Sequence, residues 1–158
     1  MTEQLAHWNP YDQNASAGFF DPEWMFGVQE GFDVVIGNPP YKMIQPHNTD
    51  KAVLSYFRKR FAVDFKIDLF HLFFKQGIQL LKNHQFLCYI APSSFLNNVY
   101  VETLREWLLN NCEILKLVIS QTQLFESADV HNAIYLLRKK GFDDQLESGI
   151  IKTTIALE

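Results

Sequence analysis

Along the chain, short apolar runs alternate with longer segments in which apolar residues recur with a helical period. Four apolar runs, rich in β-branched or aromatic residues and bounded by turn-forming residues, fall at residues 34–36, 86–90, 114–119 and 133–137. Short runs of this kind are typical of buried strands. The pattern therefore predicts a sheet of about four strands.

Segments of helical period separate these strands. Residues 67–81 predict a helix with a broad apolar face and Asp68 as its N-cap, ended by a turn at 83–84. Residues 101–108 predict a second helix, capped by Asn97 or Asn98. Strands that alternate with helices are typical of an α/β fold with a mostly parallel, doubly wound sheet and helices on both faces.

The chain divides into three regions by pattern. Residues 1–31 have no clean period and predict an irregular N-terminal segment, residues 32–140 hold the strands and helices, and residues 141–158 form a tail. In open α/β sheets, ligands bind beyond the carboxyl ends of the strands. Candidate chemistry is therefore expected directly after the first and second strands.

Composition narrows the class of protein. The 158 residues suit one domain with a real core, and a net charge of −4 argues against a self-sufficient nucleic-acid binder. The two cysteines, Cys88 and Cys112, have no metal-ligand spacing, so no metal site is expected and reduced thiols are the default. No run approaches the length of a membrane helix and no signal peptide is recognisable, which predicts a cytoplasmic protein without membrane contact.

The most informative residues follow the first strand: Asn38, Pro39, Pro40 and Tyr41. Two proline rings stiffen this segment and remove two N–H donors, so it offers the Asn38 carboxamide oxygen and the Pro39 carbonyl as acceptors beside an aromatic ring. Such a corner suits a planar group that carries an NH₂. The alternative is that two prolines merely end a strand.

The Asn-Pro-Pro-Tyr sequence after an apolar strand resembles the catalytic loop of the N6-adenine DNA methyltransferases of restriction-modification systems, which are class I enzymes of the gamma type that use S-adenosyl-L-methionine. The resemblance implies that Asn38 and Pro39 accept the two amine hydrogens of a flipped adenine, and that the methyl group moves in a direct in-line transfer. It makes Asn38, Pro39, Pro40 and Tyr41 the predicted catalytic residues.

Two further segments resemble the target-base pocket of that family. Residues 90–96, with Pro92 and Ser94, look like its strand end beside the flipped base, and Phe125 looks like the aromatic residue that packs on the adenine together with Tyr41. Stacking of this kind contributes roughly 1–3 kcal/mol per base and offsets part of the unstacking cost. A loop anchor in the core is an equal alternative for Phe125.

This chain is expected to carry only part of a cofactor-binding site. The resemblance implies that Asn38, Asp68 and Phe70 approach the cofactor, although an N-cap role also explains Asp68. Class I methyltransferases hold the methionine end of S-adenosyl-L-methionine at a glycine-rich turn, and the seven glycines of this chain form no Gly-x-Gly after a strand. We therefore expect the second half of a Rossmann-like class I methyltransferase fold, comprising its fourth to seventh strands and inactive alone.

Two expectations about partners and two alternatives for function follow. Double-stranded DNA is the expected partner through the full-length protein, and the first strand is expected to have an unpaired edge through which the chain can self-associate. An enzyme acting on RNA bases or on protein glutamine is an alternative, because those substrates share the amine or amide geometry. A non-catalytic fragment that binds a partner subunit is the other.

Overall fold

The computed structural model describes residues 9, 11–12, 14, 20–61, 67–119, 131–141 and 144. The chain divides into two compact units, residues 1–31 and 32–158. In the first unit, helix α1 (Pro22–Phe26) begins where the Asp21 carboxylate accepts a hydrogen bond from Trp24 N–H at 3.1 Å. No helix among the described residues is long and apolar enough to cross a membrane.

The second unit contains the sheet and the longer helices. Its helices are α2 (Lys51–Phe61), α3 (Leu69–Leu80) and α4 (Glu102–Asn111). Its strands are β1 (Phe32–Gly37), β2 (Met43–Ile44), β3 (Ile67–Asp68), β4 (Leu81–Pro92), β5 (Cys112–Ile119) and β6 (Asn132–Lys139). Two 3₁₀ turns, Ser93–Leu96 and Val99–Val101, connect β4 to α4.

The main sheet has the strand order β1-β4-β6-β5, and β2 pairs with β3 in a separate antiparallel pair. β1 is parallel to β4, whereas β6 is antiparallel to both of its neighbours, β4 and β5. Three of the four strands therefore run in one direction, although two of the three pairings are antiparallel. The predicted α/β fold is confirmed, with a mixed sheet.

The predicted elements are all present, with shifted ends. Each of the four predicted strands is longer than its apolar run, because flanking polar residues also join the ladder. The predicted turn at 83–84 is corrected: α3 ends at Leu80 and β4 starts at once, with His84 at a φ of +64° inside the strand. Asn98 caps the second 3₁₀ turn rather than α4, since its side chain accepts from Tyr100 N–H at 2.9 Å.

One face of the sheet is tightly packed. Its two central strands contribute six buried inward side chains, which are Leu87, Tyr89 and Ala91 of β4 with Ala133, Tyr135 and Leu137 of β6. α3 lies close on this face at Gly77, where a Cβ atom would come within 2.6 Å of Leu87 Cδ1 and Tyr89 Oη. α4 packs beside α3, with the Lys75 ammonium 5.4 Å from the centroid of the Trp107 ring.

The opposite face is apolar and open. Its cross-strand neighbours include Val34, Ile36, Phe86 and Ile134, and Ile36 is 77% exposed. Within the second unit, α3 and α4 lie on one face of the sheet and touch each other, so the expected helices on both faces are not found among the described residues of this unit. β1 hydrogen-bonds only to β4 within the same ranges, so its second edge is unpaired as expected.

Candidate functional site

The pairing register brings the predicted catalytic and pocket segments to one edge of the sheet. Gly37, the last residue of β1, is opposite Tyr89, and Pro92, the last residue of β4, is opposite Asn132. The residues after β1 therefore lie beside the end of β4. This arrangement is the carboxyl edge at which α/β sheets bind ligands.

The corner at residues 38–40 presents its polar group outward. Asn38 is exposed, and no hydrogen bond from a described residue engages its carboxamide. Pro39 is buried, which fixes the corner against the protein, while its carbonyl accepts no backbone N–H in the described ranges. Both proline peptide bonds are trans. The corner thus keeps the acceptors that its sequence predicts.

Tyr41 is fixed from two sides. Its hydroxyl donates to the Ile90 carbonyl at 3.2 Å, and its ring meets Phe70 edge-on at a centroid distance of 6.0 Å. Burial raises the pKa of the Tyr41 phenol, so it remains a neutral donor. The aromatic ring beside the corner is therefore held in one position by β4 and α3.

The downstream end of the corner is attached to the start of α3. Leu69 N–H donates to the Lys42 carbonyl at 2.9 Å, and β2 pairs with β3 through Met43 with Asp68 and Ile44 with Ile67. Residues 42–44 are therefore joined to residues 67–69 through the backbone.

The end of β4 is anchored by β6. The Tyr135 hydroxyl donates to the Pro92 carbonyl at 2.9 Å, and Ser93 N–H donates to the His131 carbonyl at 2.8 Å. Pro92 is buried, whereas Ser94 is exposed at the edge. Burial, followed by the neighbouring Tyr41, raises the pKa of Tyr135. Sequence reasoning missed Tyr135, although a tyrosine at an inward strand position must find a partner for its hydroxyl.

The predicted cofactor residues have different surroundings. Asp68 is half-buried at the N-cap position of α3, where its side chain faces the His71 backbone in a capping-box arrangement without a cap hydrogen bond of its own, and burial raises its pKa. This confirms the N-cap role. Phe70 is 1% exposed and packs in the core, where its ring supports Tyr41, and its cofactor role stays a prediction. Phe125 lies outside the described residues.

His71 is a buried residue at this site that the sequence reasoning did not single out as functional. It is 1% exposed, and its Nδ1 accepts from Asp68 N–H at 2.9 Å. Burial, together with the positive charge of Arg105, lowers the pKa of His71 to about 4. The imidazole is therefore neutral at neutral pH.

Comparison with known proteins finds one matching family and several similar proteins. The pattern of the Eco57I restriction-modification methylase family matches residues 2–125. The chain is 33% identical over 116 residues to the type II restriction enzyme and methyltransferase RM.Eco57I of Escherichia coli, covering 72% of this chain and 12% of that protein. It is also 33% identical over 109 residues to the adenine-specific methyltransferase BrxX of Escherichia coli, covering 69% of this chain and 8% of that protein.

The fold resembles a solved methyltransferase structure. A Listeria monocytogenes protein assigned to the class I S-adenosylmethionine-dependent methyltransferases superposes with a TM-score of 0.60 at 18% identity, covering 78% of this chain and 36% of that one. The chain thus spans about a tenth of the length of the two curated relatives described above and about a third of this structure.

Proposed function

Because this chain belongs to the Eco57I restriction-modification methylase family, we propose that it supplies the target-base half of the catalytic domain of a DNA methyltransferase. In this proposal the whole protein moves a methyl group from S-adenosyl-L-methionine to N6 of a flipped adenine. The observation that carries it is the outward acceptor corner at Asn38, beside the fixed ring of Tyr41.

The corner acts on the amine through hydrogen bonds. Asn38 Oδ1 and the Pro39 carbonyl each accept one N–H of the adenine amine, which draws its lone pair out of the ring system. With its lone pair freed, the amine nitrogen would act as the nucleophile toward the bound methyl donor, and the proton that it then loses would pass to solvent. Tyr41 and Phe125 contribute aromatic faces to the extruded base.

S-adenosyl-L-methionine supplies the electrophilic methyl group, but this chain carries only part of its site. Asn38, an exposed polar group, and Asp68, at the start of α3, are the residues of this chain that would contribute to that site. The glycine-rich turn that class I enzymes use has no counterpart in the sequence. We therefore infer that strands pairing with the open edge of β1 complete the cofactor site.

A methyl-transfer assay tests this function. The full-length protein, supplied with labelled S-adenosyl-L-methionine, is expected to label duplex DNA, and digestion should release the label as N6-methyladenine. The 158-residue chain alone is expected to transfer none. Label in RNA or in a glutamine peptide instead of DNA would support the alternative substrates, and no transfer to any of them would support a non-catalytic role.

Double-stranded DNA is the proposed partner of the full-length protein. The net charge of −4 means that these residues alone provide little of the phosphate neutralisation that non-specific DNA binding requires. Other segments of the protein must then hold most of the duplex, while this chain receives the extruded base. The cytoplasmic location expected from the sequence stays a prediction.

We also propose that the isolated chain self-associates through the open edge and face of β1. Ile36→Lys should reduce this association at little cost in stability, because Ile36 is 77% exposed and a lysine there adds charge to the edge. The measurement is molar mass by light scattering across a concentration series. Ile36→Val is the matched control and should associate like the wild type. A wild-type mass that stays monomeric at every concentration would contradict the proposal.

A further inference from the structure

We propose that His71 is a positioning residue for the acceptor corner, although it belongs to a different element and contributes no group to the reaction. This inference rests on the proposed function for its effect on catalysis, but its structural part can be tested separately. The imidazole fixes the first turn of α3, and that turn fixes residues 41–44.

The first step is the bond that His71 makes to the N-cap. Its Nδ1 accepts from Asp68 N–H at 2.9 Å, while the Asp68 side chain faces the His71 backbone N–H as the other half of a capping box. In the usual box a glutamate or glutamine occupies this third helical position. A histidine performs the same task here with a rigid ring.

The second step leads from the cap to the corner. Asp68 is also the β3 residue that pairs with Met43, and the next residue, Leu69, donates its N–H to the Lys42 carbonyl at 2.9 Å. The Phe70 ring then meets Tyr41 edge-on. Three consecutive residues at the start of α3 therefore contact residues 41–43.

Burying the His71 imidazole has an energetic cost. Because Nδ1 is the acceptor, the neutral ring carries its proton on Nε2, and this buried nitrogen has no hydrogen-bond partner in the described part of the chain. The Phe70 and Phe95 rings lie beside the imidazole ring at centroid distances of 4.1 and 5.6 Å, and Arg105 of α4 is the nearby charge. A leucine would avoid the cost of this buried N–H. The bond to the N-cap is what a leucine cannot replace.

The test compares two variants in the full-length protein. His71→Gln keeps an acceptor for Asp68 N–H, whereas His71→Leu keeps bulk and loses the acceptor. We expect His71→Leu to lower kcat about tenfold at a temperature where both variants are folded, with little change in KM, and His71→Gln to recover most of it. Hydrogen exchange of residues 41–44 should accelerate by a similar factor in His71→Leu alone.

A matched control removes a cap elsewhere. Asp21→Ala deletes the N-cap bond of α1 and should change neither kcat nor exchange at 41–44. If exchange in His71→Leu rises only at 67–72 and kcat is unchanged, His71 is merely structural and the inference is overturned. If the wild type transfers no methyl group, the proposed function fails, while exchange at 41–44 still decides the positioning role.

Discussion

Replacing Asn38 by alanine in the full-length protein is expected to reduce methyl transfer at least about a hundredfold, because the substitution removes a fixed acceptor from the reacting amine. Asn38 is exposed, and its carboxamide has no hydrogen bond to the described residues, so stability should change little. Initial rates with labelled cofactor and saturating duplex measure the effect. DNA binding, followed by fluorescence anisotropy, should remain close to that of the wild type.

Two control variants show whether a loss of activity in Asn38→Ala comes from the missing acceptor oxygen. Asn38→Asp keeps an oxygen acceptor at the same place and should retain more activity than the alanine variant. Asn110→Ala changes an exposed asparagine at the end of α4 and should behave as wild type. An unchanged rate in Asn38→Ala would remove the corner from catalysis and favour the partner-binding alternative.

The largest expected loss of stability comes from Phe74→Ala. Phe74 is fully buried, stacks on Phe95 at a centroid distance of 5.0 Å and meets Tyr89 and Tyr135 edge-on at 5.4 and 5.1 Å. Deleting its ring leaves a cavity at the centre of the packed face, which costs about 3–5 kcal/mol. Thermal unfolding of the 158-residue chain should show a midpoint lower by roughly 6–20 °C, if the variant folds at all.

The neighbouring phenylalanine provides the control. Phe73 lies on the same helix but is 42% exposed, so Phe73→Ala should cost about 1 kcal/mol or less. Similar losses in the two variants would mean that α3 does not bury Phe74 against the sheet as described. A loss of this size only in Phe74→Ala would support the packing of α3 on β4 and β6.

The aromatic cluster also connects stability with the site. Tyr135 contacts Phe74 with its ring and the Pro92 carbonyl with its hydroxyl. The core therefore fixes the end of β4 at the same edge where Asn38 and Tyr41 emerge.

The sequence by itself determined the four strands of the main sheet, the helices α3 and α4, and the acceptor groups of the corner. Apolar runs near residues 34–36 and 86–90 are local signals, and two prolines after Asn38 restrict the backbone wherever they occur. The expectation that one edge of β1 is unpaired also came from the sequence, and it holds among the described strands.

Only the tertiary structure decided which groups meet. The bonds from Tyr41 to Ile90 and from Tyr135 to Pro92 join residues 49 and 43 positions apart, and they exist because the strand register aligns their ends. The same packing buries Phe70 in the core, brings His71 Nδ1 to the Asp68 N–H and leaves one face of the sheet open. Periodicity tells which side chains share a face, but it does not tell what covers that face, and for this reason the sequence could not decide these contacts.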